Sequence, residues 1–175
     1  MIVVGLLAFA PAAWAATDDS VVSMTATVDS YAEWADATPA IAAGDWTGSV
    51  DGTTISAVGE DLTVTKALGL YANATITITA VGTANAGIAT NATTDALTTS
   101  YQLQGADLTT PDAAYKAAAA GAGEFFNAGN TYEVTHTNGD GSYTMDLLVQ
   151  LESEDAAAND AGNYTCSVTM TASWT

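Results

Sequence analysis

Gly162-Asn163-Tyr164-Thr165-Cys166-Ser167-Val168-Thr169-Met170-Thr171-Ala172-Ser173-Trp174 alternates without a break. Tyr164, Cys166, Val168, Met170, Ala172 and Trp174 fall on one face, and Asn163, Thr165, Ser167, Thr169, Thr171 and Ser173 on the other. Side chains of a strand alternate with period 2, so this stretch predicts a strand with an apolar face on a core and a hydroxyl face toward water. Near the other end, Val22-Ser23-Met24-Thr25-Ala26-Thr27-Val28 repeats the pattern of Val168-Thr169-Met170-Thr171-Ala172-Ser173-Trp174 position for position. Two segments of one pattern can fill equivalent seats in a sheet. That similarity suggests a subunit able to exchange its first strand, with Val22, Met24, Ala26 and Val28 as the inserting side chains.

The same alternation recurs back along the chain. Residues 142–151 place Tyr143, Met145, Leu147, Val149 and Leu151 inward, and residues 131–137 place Tyr132, Val134 and His136 on one face. Asn138-Gly139-Asp140-Gly141 between them predicts a hairpin turn. Further strands are expected at 100–105 (Tyr101, Leu103), 74–81 (Ile76, Ile78, Ala80) and 60–66 (Leu62, Val64). Two short ones are expected at 46–50 and 53–58, joined by Asp51-Gly52, and a first one at 20–31. Residues 82–99 are rich in Ala, Gly, Asn and Thr and read as a long surface connection with one weak strand. Thr110-Pro111-Asp112 opens an alanine-rich run to Ala120, where a capping Thr, a Pro in the first turn and good helix formers predict the one short helix. Eight or nine strands, roughly, with regular turns and one helix describe an all-β chain. The expected fold is an immunoglobulin-like or jelly-roll antiparallel β-sandwich, a single domain over residues 17–175.

Composition narrows the function. Twenty Asp and Glu face two lysines, Lys66 and Lys116, for a net charge of -18. Nucleic acid and anionic membrane surfaces demand Lys and Arg, so neither is an expected partner. Apolar content of 49% at regular β spacing argues against disorder. Residues 1–15 form an apolar run ending in the small-x-small motif Ala13-Trp14-Ala15, as in a secretory signal cleaved after Ala15 or Ala16. The run is shorter than the roughly 20 residues a membrane-spanning helix needs, so no stable membrane insertion is expected after processing. A secreted, extracellular or cell-surface protein is the expectation. Cys166 is the only cysteine and forms no intramolecular disulfide; it reads as a thiol on the core face.

Asp160-Ala161-Gly162-Asn163-Tyr164-Thr165-Cys166 matches the D-x-G-x-Y-x-C string in which a tyrosine turns a corner of an immunoglobulin domain. Over the last 75 residues or so, Ala161-Gly162-Asn163-Tyr164 followed by alternating Val and Thr resembles the final strand of secreted fimbrial subunits and of spore coat protein U-like domains. Ser100-Tyr101-Gln102-Leu103, ahead of the expected helix and hairpin, is similar to the same group. The resemblance implies a sandwich whose subunits join by donating an N-terminal strand to a neighbour.

No catalytic constellation is present. His136 is the only histidine and reads as structural, without the second His, Cys or Ser signature that zinc or nucleophilic chemistry requires. Asn138, Asp140, Asp155 and Asp160 offer hard oxygen ligands suited to calcium, although N-G-D-G-S-Y lacks the spacing of an EF-hand and reads first as an ordinary turn. Asn73, Asn91 and Asn163 open N-x-T sequons and are candidate glycosylation sites. The expected function is a non-enzymatic, self-assembling structural subunit of an extracellular filament, fimbria or coat. The alternative is a monomeric adhesion or carbohydrate-binding sandwich using Trp34, Trp46 and tyrosines as a stacking platform.

Overall fold

The computed structural model describes residues 23, 25–48, 55, 59–153 and 159–174. Its described residues form nine strands in two antiparallel sheets and two single turns of 3-10 helix, at Ala43–Asp45 and Asn85–Gly87. The larger sheet contains β1 (Ala32–Trp34), β2 (Thr47–Gly48), β3 (Asp61–Ala72), β5 (Thr98–Gln104), β6 (Lys116–Ala117) and β8 (Ser142–Glu152). Its order is β1-β3-β8-β5-β6, with β2 also pairing β3. The smaller sheet contains β4 (Ile76–Ala84), β7 (Tyr132–Val134) and β9 (Ser167–Trp174), in the order β7-β4-β9. The chain is all-β and its two layers make a sandwich.

The core follows from the alternation. Along β3, Leu62, Val64, Leu68, Leu70 and Ala72 are buried, and the ladder to β8 sets the first four opposite Leu151, Val149, Met145 and Tyr143, with Leu62↔Leu151 and Leu70↔Tyr143 near its ends. Ile76, Ile78 and Ala80 of β4 and Tyr132 and Val134 of β7 close the core from the small sheet, with Phe125 and Leu108 between the layers. A second cluster, Leu62, Ala89, Leu97 and Leu151, fills one end. β3 continues six residues past the expected Lys66 because Lys66 occupies an inward parity and hides an alternation that resumes at Leu68.

Three expectations are corrected. The hairpin over 131–151 does not form: β7 pairs with β4 while β8 pairs with β3 and β5. Residues 135–141 carry the chain from one sheet to the other, and the inward faces of β7 and β8 meet across the core instead of side by side. The helix after Thr110 is absent. Backbone N–H groups of Asp112 and Ala118 donate to Leu103 and Thr99 at 2.9 and 2.8 Å, and Lys116–Ala117 pairs with β5, so sheet pairing overrides alanine propensity. The first strand is also absent over 25–31, where every residue is exposed; Val22 and Met24 lie outside the described residues. The leader, the Asp51-Gly52 hairpin and Asp155 also lie outside them. Among the described residues no strand pairs with residues 25–31.

Candidate functional site: the outer edge of the small sheet

β9 carries the alternation that defined the closing strand, but it lies at the rim of the small sheet. It pairs with β4 from Ile76↔Trp174 to Gly82↔Val168, and after an irregularity at Ala84↔Ser167. Gly82 permits that irregularity, since a Cβ there would collide with the carbonyl of Ala86. Among the described residues β9 has no second neighbour. Its inward residues Val168, Met170 and Ala172 pack on the core yet are only half-buried. Trp174, expected inward, is 52% exposed. This rim therefore combines unpaired backbone groups with a partly covered apolar row.

The segment that precedes β1 leaves the molecule on the same side, because β1 lies close to β9 and Ala32 and Trp34 join the cluster that receives Val168, Met170 and Ala172. Asn73 fixes the point of departure. Its Oδ1 accepts from Tyr31 N at 2.8 Å and its Nδ2 donates to Asp29 O at 2.9 Å. Beyond that clamp Ala26 is exposed and Val28 is 79% exposed. Neither is the inward residue that the first-strand reading expects.

The remaining site residues of the sequence reading are dispersed. Tyr164 turns the corner anticipated from D-x-G-x-Y: its hydroxyl donates to Asp160 O, four residues back, at 2.9 Å. Asn91 accepts from Asp95 N and Thr93 N and donates to Asp95 Oδ2 and the Tyr164 hydroxyl, tying the loop before β5 to this corner. Asp95 accepts from the N–H of Asp160 at 2.8 Å, which with Asn91 holds its carboxyl below the ordinary range. Desolvation first, then the carboxylates of Asp95 and Asp160, push the Tyr164 phenol up.

Asp160 thus belongs to the end of the sandwich where Glu152 pairs with Thr98. Asn138 and Asp140 sit before Ser142, at the other end of β8, where Asp140 accepts from Thr137 Oγ1 at 2.6 Å. Of the calcium candidates that are described, Asn138 and Asp140 therefore lie at one end of the sandwich and Asp160 at the other. Of the sequon residues, Asn73 and Asn91 use their side-chain amides structurally, whereas Asn163 is exposed. His136 Nδ1 bonds the Tyr143 hydroxyl at 2.8 Å, a structural contact. Cys166 is half-buried, 3.3 Å from the Tyr101 hydroxyl, which also donates to Gly87 O at 2.5 Å. Trp34 and Trp46 are half-buried against the core.

Sequence reasoning missed one polar cluster altogether. Asp112, Lys116, Asn130 and Tyr132 meet between the edge strands β6 and β7, and the only trace of it in the sequence, Asp112 four residues before Lys116, reads as a helical pair. No match to the chain was found among protein-family models, among curated protein sequences or among solved structures.

Proposed function

We propose that the chain is a structural subunit of an extracellular filament, fimbria or coat that assembles by strand complementation. The segment before β1 of one copy adds to the outer edge of β9 in the next. The observation that carries this reading is the pairing of opposites on one side of the sandwich. Among the described residues β9 has an unpaired edge and a half-covered apolar row, beside residues 25–31, all exposed, which carry the second half of the same alternation. Unpaired strand edges are templates for an added strand, which gains ladder hydrogen bonds while alternate side chains fill the groove. Burying Val22, Met24, Ala26 and Val28 contributes on the order of 5 kcal/mol before ordering costs. The partner is another copy of the chain, and no catalysis is involved.

The test is negative-stain electron microscopy with size-exclusion chromatography on the chain from residue 17 and on a version lacking residues 17–30. Filaments or oligomers from the longer form, lost in a shorter form that stays folded, are expected. A monodisperse monomer of the longer form across salt and calcium concentrations overturns the proposal.

A further inference from the structure

The polar cluster between β6 and β7 is built around one of the chain's two lysines. The Asp112 side chain is 2% exposed and the Lys116 side chain 26%, with Nζ 2.5 Å from Asp112 Oδ1. Asp112 Oδ2 accepts from Leu103 N at 2.9 Å and from the Tyr132 hydroxyl at 2.7 Å. On its other side Lys116 Nζ donates to Asn130 Oδ1 at 2.7 Å. The Asn130 nitrogen, in turn, donates to Phe125 O at 3.0 Å and to the Tyr132 hydroxyl at 2.8 Å. Aromatic rings wall the cluster: Lys116 Nζ lies 5.6 Å from the centre of the Tyr132 ring, and the fully buried Phe125 packs against Tyr132.

An ion pair alone does not require this arrangement. With 20 acidic residues available, Lys116 is nonetheless seated between a buried carboxylate and a side-chain amide carbonyl. The amine nitrogen is hydrogen-bonded to the amide oxygen, and the amide carbon is one bond further on. The carboxylate touches the amine, and the phenol bridges carboxylate and amide nitrogen. Those are a nucleophile, an electrophile, a base and a route for a proton to the leaving group.

The geometry points to an intramolecular isopeptide bond between Lys116 Nζ and Asn130 Cγ, formed spontaneously in the folded chain with Asp112 as acid–base catalyst. Asp112 takes one proton from the Lys116 ammonium, and the freed amine attacks Cγ to give a tetrahedral intermediate. Asp112 passes that proton through the Tyr132 hydroxyl, which touches both Asp112 Oδ2 and the Asn130 nitrogen, to the Asn130 nitrogen, and takes a second proton from the attacking nitrogen. The Cγ–Nδ2 bond then breaks, ammonia departs, and it collects the proton held by Asp112. Ammonium ion and one secondary amide are the products, and Asp112 returns to its starting state. No oxidant and no metal enter the balance. The bond ties β6 at the edge of the large sheet to the residue two before β7 in the small one. It is a covalent link between layers in a chain whose single cysteine cannot make one, and it is independent of how subunits assemble.

The experiment is intact-mass spectrometry of the purified full chain, followed by proteolysis and tandem sequencing. The expected result is a mass lower than the sequence by one ammonia, with a branched peptide joining Lys116 to Asn130 and an amine reagent that labels Lys66 but not Lys116. Cyclisation at Asn138-Gly139 also releases ammonia, so the branched peptide is the deciding observation. Asp112→Asn and Asn130→Ala are each expected to restore the full mass and a reactive Lys116 amine, with folding followed by circular dichroism. A wild-type chain that keeps an unmodified Lys116 amine after days in the folded state overturns the inference, whatever the variants do.

Discussion

At the scale of single residues, the buried phenols show how a hydroxyl on a core strand contributes to stability. Tyr101 is 1% exposed and lies against Phe125 and Phe126 with ring centroids 5.1 and 5.3 Å away. Its hydroxyl is the donor that satisfies Gly87 O. Tyr101→Phe keeps the ring and strands that carbonyl, so it is expected to lower unfolding free energy by about 1–2 kcal/mol, read from urea unfolding with an unchanged slope. The phenols of Tyr101 and Tyr132 are both pushed far up. Desolvation is the larger cause for each, followed by Cys166 for Tyr101 and by Asp112 for Tyr132. A raised folded value means that the unfolded chain loses its protons first. The contribution is therefore full below the ordinary tyrosine value of about 10 and falls as pH rises above it toward the folded values. Spectrophotometric titration is expected to show two tyrosines that ionise only as circular dichroism reports unfolding; their ionisation in a folded chain would contradict this.

At the scale of elements, the period-2 pattern specifies which face of a strand is covered and leaves its neighbour open. Residues 62–64, 76–80, 101–103 and 143–151 were legible because each inward residue is apolar and each is buried in the structure. The β7–β8 arch was not legible, since Tyr132, Val134, Tyr143 and Met145 are equally buried whether two strands pair side by side or stack across the core. The alanine-rich run at 113–120 misled for the complementary reason. Its local preference is helical, but a long-range carboxylate, Asp112, is needed at the Leu103 N–H and at Tyr132. At the candidate site, the sequence singled out both members of the proposed pairing, β9 and residues 22–28, and left their relation undetermined. That relation gives a prediction of its own. Val28 is 79% exposed, so Val28→Lys is expected to change subunit stability by less than about 0.5 kcal/mol. Inserted into a half-apolar groove the same lysine meets a desolvation cost, so oligomers seen by size exclusion should diminish strongly. Equal assembly by the variant and the wild type would exclude Val28 as an inserting residue.

At the scale of the whole molecule, net charge acts on folding and on contact between copies together. A net charge of -18 on 175 residues opposes compaction, and it opposes contact between copies still more, because like-charged subunits must approach to within a few ångströms. Cations act on both. Raising monovalent salt from about 10 mM to about 150 mM shortens the screening length from roughly 30 to roughly 8 Å. Screening over that range is expected to raise the melting temperature by a few degrees, equivalent to about 1 kcal/mol for a chain of this size. It is also expected to shift the size-exclusion profile toward larger species, whereas an uncharged osmolyte should raise the melting temperature without the second effect. Calcium at matched ionic strength separates screening from binding. Asn138 and Asp140 lie at the opposite end of β8 from Asp160, so the separated acids should respond to calcium as they do to any cation at that ionic strength. A calcium-specific rise, saturating at low concentration and abolished by Asp140→Asn or Asp160→Asn, would instead mark one of the two ends as a true site. In that case the acidity would serve a bound ion as well as the solvent.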